Sequence, residues 1–406
     1  MNRVAYLLLW LFVFATPWEL VLKIQGVGTI SRLAGMAALT VGIAAVLRRG
    51  RSRPLTVFHV ATLCFVLWGG ITIFWTVDPE ATVARFWRNV QIVGQLWLIW
   101  ELAATPERRM GLFQAYVLGA AVSATSIIVN YMAGNPLVTA GGVARSGRFG
   151  AGEFSPNAVA FLLVLSLPMA WHLGTTHRLP LVRLVNRAYL LVAMLAITLT
   201  ASRGALLLSA LALLIVPLTI SRLGLGMKLA MAVFLVASAA ITWRYIPERS
   251  LARLATTRTE LMEGTMNERR VIWRAGARLI PQHPLEGIGA GAFTRAVVPF
   301  LGYEKAPHNA YLSVLVEQGI VGLSLFLLVF VCAFLHARDA PSRERPLLLI
   351  LLVTLIIGLM PRAWEAEKHT WLILALLLTP AVAVREAAVR AGVVRRHQST
   401  RLPASA

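Results

Sequence analysis

The sequence predicts an all-α polytopic membrane protein with about 12 transmembrane helices and one large extramembrane loop. Three observations carry that class. Hydrophobic residues make up 58% of the 406 and charged residues 14%, with a mean hydropathy of +0.71, which is more apolar surface than a soluble domain of this size needs for its core. The apolar residues fall in runs of roughly 15–25, against the roughly 20 that cross a bilayer as helix. The 39 Lys and Arg behind the net charge of +21 are scattered over short segments between those runs. They mark topology rather than a nucleic-acid groove, so soluble enzyme folds and a nucleic-acid partner are both excluded.

Taken in order, the candidate spans are 4–22, 26–47, 55–77, 83–104, 112–132, 157–173, 188–202, 204–220, 229–246, 310–335, 347–360 and 370–384. The first follows Arg3 and has no convincing small-x-small cleavage site, so a retained span is expected rather than a signal peptide. The fourth opens on Arg85 and Arg88 and the last two are short; if 347–384 were a re-entrant hairpin, ten spans would remain with the same parity. With the N-terminus inside, short inside loops carry 20 basic residues and short outside loops 9. That positive-inside bias places both termini, including the basic tail 385–406, in the cytoplasm. The remaining basic residues lie between Arg244 and Lys305, in the segment 247–309 that separates spans 1–9 (1–246) from spans 10–12 (310–384). It is the only extramembrane piece large enough to fold, and it is expected outside.

Within that loop, RRVIWRAGARLI (269–280) places Val271, Ile272, Ala275 and Leu279 on one stripe and Arg270, Arg274 and Arg278 on the other, a short amphipathic helix ended by Pro281 and Pro284. The glycines of HPLEGIGAGAF, at 287, 289 and 291, forbid regular structure until Phe293. A second outside loop, 133–156, is rich in Gly and ends in SPN, which puts Asn157 at the mouth of the sixth span.

No nucleotide-binding glycine pattern, CxxC, HExxH or GxSxG occurs. The two cysteines, Cys64 and Cys332, lie inside apolar runs, and Asp78 and Asp339 are the only aspartates. No metal site and no cofactor is therefore expected, and the free energy must arrive with the substrate. The outside face offers three histidines (His283, His308, His369), few glutamates and many arginines. That kit suits anionic oxygens, since a guanidinium pairs phosphate as a planar fork and each charge-assisted bond is worth roughly 1.5–3 kcal/mol.

Arg203, in TASRGALL, stands where two apolar runs meet with nothing else between them. A charge in such a place is either a functional site or a snorkelling residue capping two helices. Gly204 beside it suits a close backbone approach or a simple turn. In PHNAYLSVLVEQGIVGL (307–323), His308 and Asn309 stand at the mouth of the tenth span. An imidazole there can remove a proton near neutral pH, or it can simply begin a helix that Asn309 caps. Glu317, deeper in the same run, serves either structural pairing or support of the site.

Arg148 in SGRFGAGEFSPNA, Arg203 in TASRGA, Arg269 to Trp273 in ERRVIW, HPLEGIGAGAF and PHNAYLSVLVEQGIVG follow one another in an order that resembles the bacterial O-antigen ligase/polymerase superfamily. The resemblance covers roughly 145–325 and rests on the ordered set rather than on any one motif. It implies a GT-C-like, inverting glycosyltransferase of the bacterial inner membrane whose site faces the periplasm and takes glycan from a polyprenyl pyrophosphate. By motif, His308 would be the catalytic residue, and Arg203, Arg269 and Arg148 would bind the pyrophosphate, with Arg270 competing with Arg269 for the arginine before Trp. Asn309, Glu317, Trp273 and Asn157 would support them. Chemistry runs the same way, since a departing pyrophosphate needs cations and the sequence lacks carboxylates for a metal.

Three activities fit. A ligase would pass whole O-antigen to lipid A-core, and the basic outer face, net +4 between 244 and 308, suits that anionic acceptor. A polymerase or a protein O-oligosaccharyltransferase of the same superfamily would use another glycan or a Ser. A lipid-linked sugar flippase would also have many spans and basic residues, but neither an inverted repeat nor mid-span ionisable clusters are present.

Overall fold

The computed structural model describes residues 2–136 apart from 25 and 27, residues 147–222 and 268–378, and isolated positions between 224 and 240. The expected ninth span, 229–246, most of the first half of the 247–309 loop and the tail 385–406 lie largely or wholly outside the described residues.

Helices dominate: α1 Asn2–Ala15, α2 Ile30–Arg49, α3 Val57–Ile71, α4 Pro79–Leu102, α5 Pro106–Met132, α6 Pro156–Thr176, α7 Pro180–Leu199, α8 Arg203–Ala212, α9 Ile215–Thr219, α10 Arg269–Ala277, α11 Ala310–Arg338, α12 Arg345–Leu359 and α13 Lys368–Leu378. The described strands are a two-residue pair, Lys23–Ile24 against Gly28–Thr29. Among the described residues six helices are long and apolar enough to cross a membrane: α2, α3 with its terminal turn to Phe74, α5, α6, α7 and α11. Arg203–Thr219, α12 and α13 are shorter apolar helices.

Local chemistry sets the boundaries. Proline at the first helical position opens α4, α5, α6 and α7, where its missing N–H costs nothing. For α7 this moves the start to Pro180, eight residues before the apolar run at 188, so Arg183 and Arg187 ride on its first turns. The loop helix α10 ends at Ala277, short of the expected Ile280, and a 3-10 turn at Ile280–Gln282 follows. Its buried face is Ile272 and Ala275, continued past its end by Leu279; Val271, expected on that stripe, is 45% exposed.

The core centres on α6, buried on every side, as a helix apolar all round must be. Around it pack α5, α7, α8 and α12. A second junction forms where α11 breaks. Gly319 has φ 66° and ψ −168° inside an otherwise helical run, and the Gly-rich loop seats in the gap. Ile288 N and Gly289 N donate to the carbonyls of Val316 and Glu317 at 3.0 and 2.9 Å, while Ile320 N and Val321 N donate to those of Pro284 and Leu285 at 2.9 and 3.3 Å. Backbone freed at the break is thus re-paired, which a span in lipid requires. The indoles of Trp68 and Trp75 close the seat by donating to Gln318 O at 2.9 Å and Gly287 O at 3.0 Å.

Candidate functional site

Three helix N-termini meet at one cavity. Asn157 is the second residue of α6, Ser202, Arg203 and Gly204 open α8, and Arg269 opens α10; with Arg148, Ala201, Pro361 and Arg362 they line a space of about 100 Å³. Unpaired N–H groups and the positive dipole end make such termini favourable for anions. Ser202 and Glu268, the residues preceding α8 and α10, make no capping side-chain bond.

Four guanidinium groups face this space, and no carboxylate is among the described residues that line it. Arg148 is buried and fixed, Nε donating to Thr200 O at 3.1 Å and Nη2 to Asn157 Oδ1 at 2.8 Å. Arg203 is half-buried at the first turn of α8. Arg269 is also half-buried, and burial pulls its pKa below the usual arginine value. Arg362, in the turn between α12 and α13, donates from Nη1 to Gly358 O at 3.0 Å and from Nη2 to Asn157 O at 2.8 Å.

His308 is not among the lining residues but lies near enough for the charge of Arg269 to act on it. Burial first, then Arg269 and Lys305, hold its pKa below the ordinary 6.5. The imidazole is therefore neutral near pH 7 and able to accept a proton. Two contacts tie its segment to α10: the Trp273 indole donates to Pro307 O at 3.0 Å, and Lys305 Nζ pairs with Glu268 at 2.9 Å. Behind it Asn309 caps α11, its Oδ1 accepting from the amides of Tyr311 and Leu312 at 3.0 and 3.1 Å.

Backbone strain marks the same place. Among the described residues three non-glycine residues have positive φ: Ala201 (50°), Glu268 (66°) and His308 (48°). Ala201 lies two residues before Arg203 and Glu268 immediately before Arg269. Each costs about 1–3 kcal/mol and persists only where the surroundings impose it, typically at functional sites.

Of the residues singled out in the sequence, Arg148, Asn157, Arg203 and Arg269 come together on the cavity, with His308 beside Arg269. Arg270 is not among the lining residues. Trp273 and Asn309 hold backbone, as just described. Glu317 is away from the cavity: it lies 3.6 Å from Arg85 Nη1, and its Oε1 accepts from Phe293 N at 3.3 Å, so it anchors the Gly-rich loop. Sequence reasoning missed Arg362. Like Arg203, it is an arginine between two adjacent apolar runs, but Glu365 and Glu367 beside it in the sequence mask that signal.

A family model described as O-Antigen ligase matches residues 188–327, the stretch that contains Arg203, Arg269, His308 and the break in α11. A protein named O-antigen ligase from Pseudomonas aeruginosa is 31% identical over 131 residues, which take in 30% of this chain and 32% of that protein. The chain thus matches about a third of that relative's length. Over the segment that supplies Arg203, Arg269 and His308, the chain is similar to the O-antigen ligase family.

Proposed function

We propose that this protein is a glycosyltransferase that moves O-antigen glycan from polyprenyl pyrophosphate to lipid A-core at the periplasmic face of the bacterial inner membrane. The observation that carries the reading is the cavity itself: four arginines and three helix N-termini with no carboxylate among the described residues that line it, and a neutral histidine within reach of the charge of Arg269. In an inverting transfer the acceptor hydroxyl oxygen attacks the anomeric carbon from the side opposite the pyrophosphate. The bond from that carbon to the pyrophosphate oxygen breaks, its electron pair leaves with the pyrophosphate, and His308 takes the hydroxyl proton. General-base assistance of this kind is worth about 10²–10⁴ in rate.

Arg203, Arg269 and Arg148 stabilise the charge that grows on the leaving group, the task that a divalent cation and its carboxylates perform elsewhere. Asn157 holds Arg148, Trp273 and Asn309 hold the backbone that presents Arg269 and His308, and Glu317 anchors the Gly-rich loop away from the cavity. The basic outer face favours an anionic acceptor such as lipid A-core over a neutral glycan or a Ser.

Deleting the gene tests the choice of acceptor. The ligase reading expects lipopolysaccharide with bare core, and polymerised glycan left on its polyprenyl carrier. Core bearing a single repeat unit would instead identify a polymerase and leave the chemistry intact.

A further inference from the structure

We propose that Arg362 is a phosphate-binding residue of this cavity, the guanidinium that completes the site for the donor's pyrophosphate. The inference rests on the anion-binding reading given above and adds a residue outside the matched segment 188–327. Arg362 is 8% exposed and lies on the cavity wall. Its guanidinium is held by two neutral carbonyls, Gly358 O at 3.0 Å and Asn157 O at 2.8 Å, and rests 4.2 Å from the centroid of the Phe161 ring. Its buried Nε has no partner among the described residues.

No described contact neutralises that charge. The acids nearest in sequence are engaged elsewhere, Glu365 with Arg85 at 2.7 Å and Glu367 with Arg88 at 3.4 Å. A buried cation without a counter-charge is costly, and costlier beside another cation. Burial and the charge of Arg269 together pull the pKa of Arg362 down to about 9, which leaves it protonated near neutral pH. An arriving anion would remove that penalty. A purely structural tie between Gly358 and Asn157 needs no charge.

Two of the guanidinium groups are also tied to one residue. Asn157 accepts from Arg148 at its side-chain oxygen and from Arg362 at its carbonyl, so the two guanidinium groups are fixed relative to each other before any ligand binds. Arg203 and Arg269, on the first turns of α8 and α10, face the same space from other elements.

The test uses the full chain in detergent with inorganic pyrophosphate as the probe, reading thermal stability against pyrophosphate concentration for wild type, R362M and R362K. Pyrophosphate should stabilise the wild type. R362M replaces a buried, repelled charge by an unbranched apolar side chain, so without pyrophosphate it should melt at or above the wild-type temperature. Its pyrophosphate affinity should fall about tenfold or more, the scale of one charge-assisted hydrogen bond. R362K, which loses the fork, should fall by a similar factor.

Wild-type affinity in R362M, or a lower melting temperature without pyrophosphate at unchanged affinity, would make Arg362 a structural tie and overturn the proposal. If R362M does not accumulate, R362K decides by the same affinity criterion. A wild type that pyrophosphate does not stabilise would overturn the anion-site reading itself, a failure distinct from that of Arg362 alone.

Discussion

A base for glycosyl transfer must be neutral before the acceptor arrives and must not be drawn into an ion pair. His308 meets both conditions, because its burial and the positive charges of Arg269 and Lys305 oppose protonation and no carboxylate pairs with it among the described residues. Its folded-state pKa is depressed, so the basic form persists below pH 6.5 and is lost only as pH falls through the lower folded value. The acidic limb of kcat/KM should therefore have its midpoint below 6.5, and it should be absent from the residual activity of H308A. A midpoint at or above 6.5 would assign the limb to another group. H308A itself should lose about 10²–10⁴ in rate while keeping membrane insertion and donor binding.

At Arg203 the sequence poses the question of a charge between two apolar runs, and the structure puts it on the cavity. R203K keeps the charge without the planar fork and should lose most turnover in a transfer assay; near-wild-type turnover would return Arg203 to a capping role. Arg362 presents the same pattern, yet the neighbouring RAWEAEK offers acids that look like its partners. Those acids in fact pair with arginines of α4, more than 270 residues away in the chain, and no local reading reaches that far.

At the scale of the element, hydropathy finds α11 but is indifferent to φ, so VEQGIVG reads as unbroken helix although Gly319 interrupts it. The glycines of HPLEGIGAGAF are legible as irregular backbone up to Phe293, where a one-turn helix does begin. Where they seat is not legible, because the seat is made by tertiary contact with the α11 break. Their need for glycine is twofold. Gly289 has φ 111° and a Cβ there would stand 1.9 Å from Thr76 Oγ1; Gly319 has φ 66° and a Cβ would stand 2.1 Å from Leu285 O.

G289A and G319A should each destabilise by at least about 1–3 kcal/mol, seen as a lower melting temperature in detergent. Gly204 is the control. Its backbone is helical and an added methyl would meet open space, so G204A should melt like the wild type. Equal melting of all three variants would dissociate the loop seat from stability.

For the whole molecule, the helical membrane class follows from composition and run length alone, since lipid-exposed apolar faces need no partner helix. Span ends are harder: prolines and capping residues set them, as at Pro180, where two arginines precede the apolar run. The cavity joins residues 148, 203, 269 and 362 from separate elements, and the sequence supplies their types but not their convergence. The orientation is an expectation that rests on the bias of 20 inside to 9 outside basic residues in short loops. Single cysteines at Glu304 should react with an impermeant reagent applied to cells from the periplasmic side, and those at Arg51 and Ser342 should not. The reverse pattern would turn the cavity toward the cytoplasm.

If arginines and His308 perform the transfer without a metal, the reaction must survive chelation. The decisive assay reconstitutes the purified protein with polyprenyl-pyrophosphate-linked glycan and lipid A-core in excess EDTA. Wild-type protein should then transfer glycan at its full rate, and H308A should transfer almost none under the same conditions. Loss of wild-type transfer in EDTA, restored by Mg²⁺ or Mn²⁺, would contradict a metal-free mechanism.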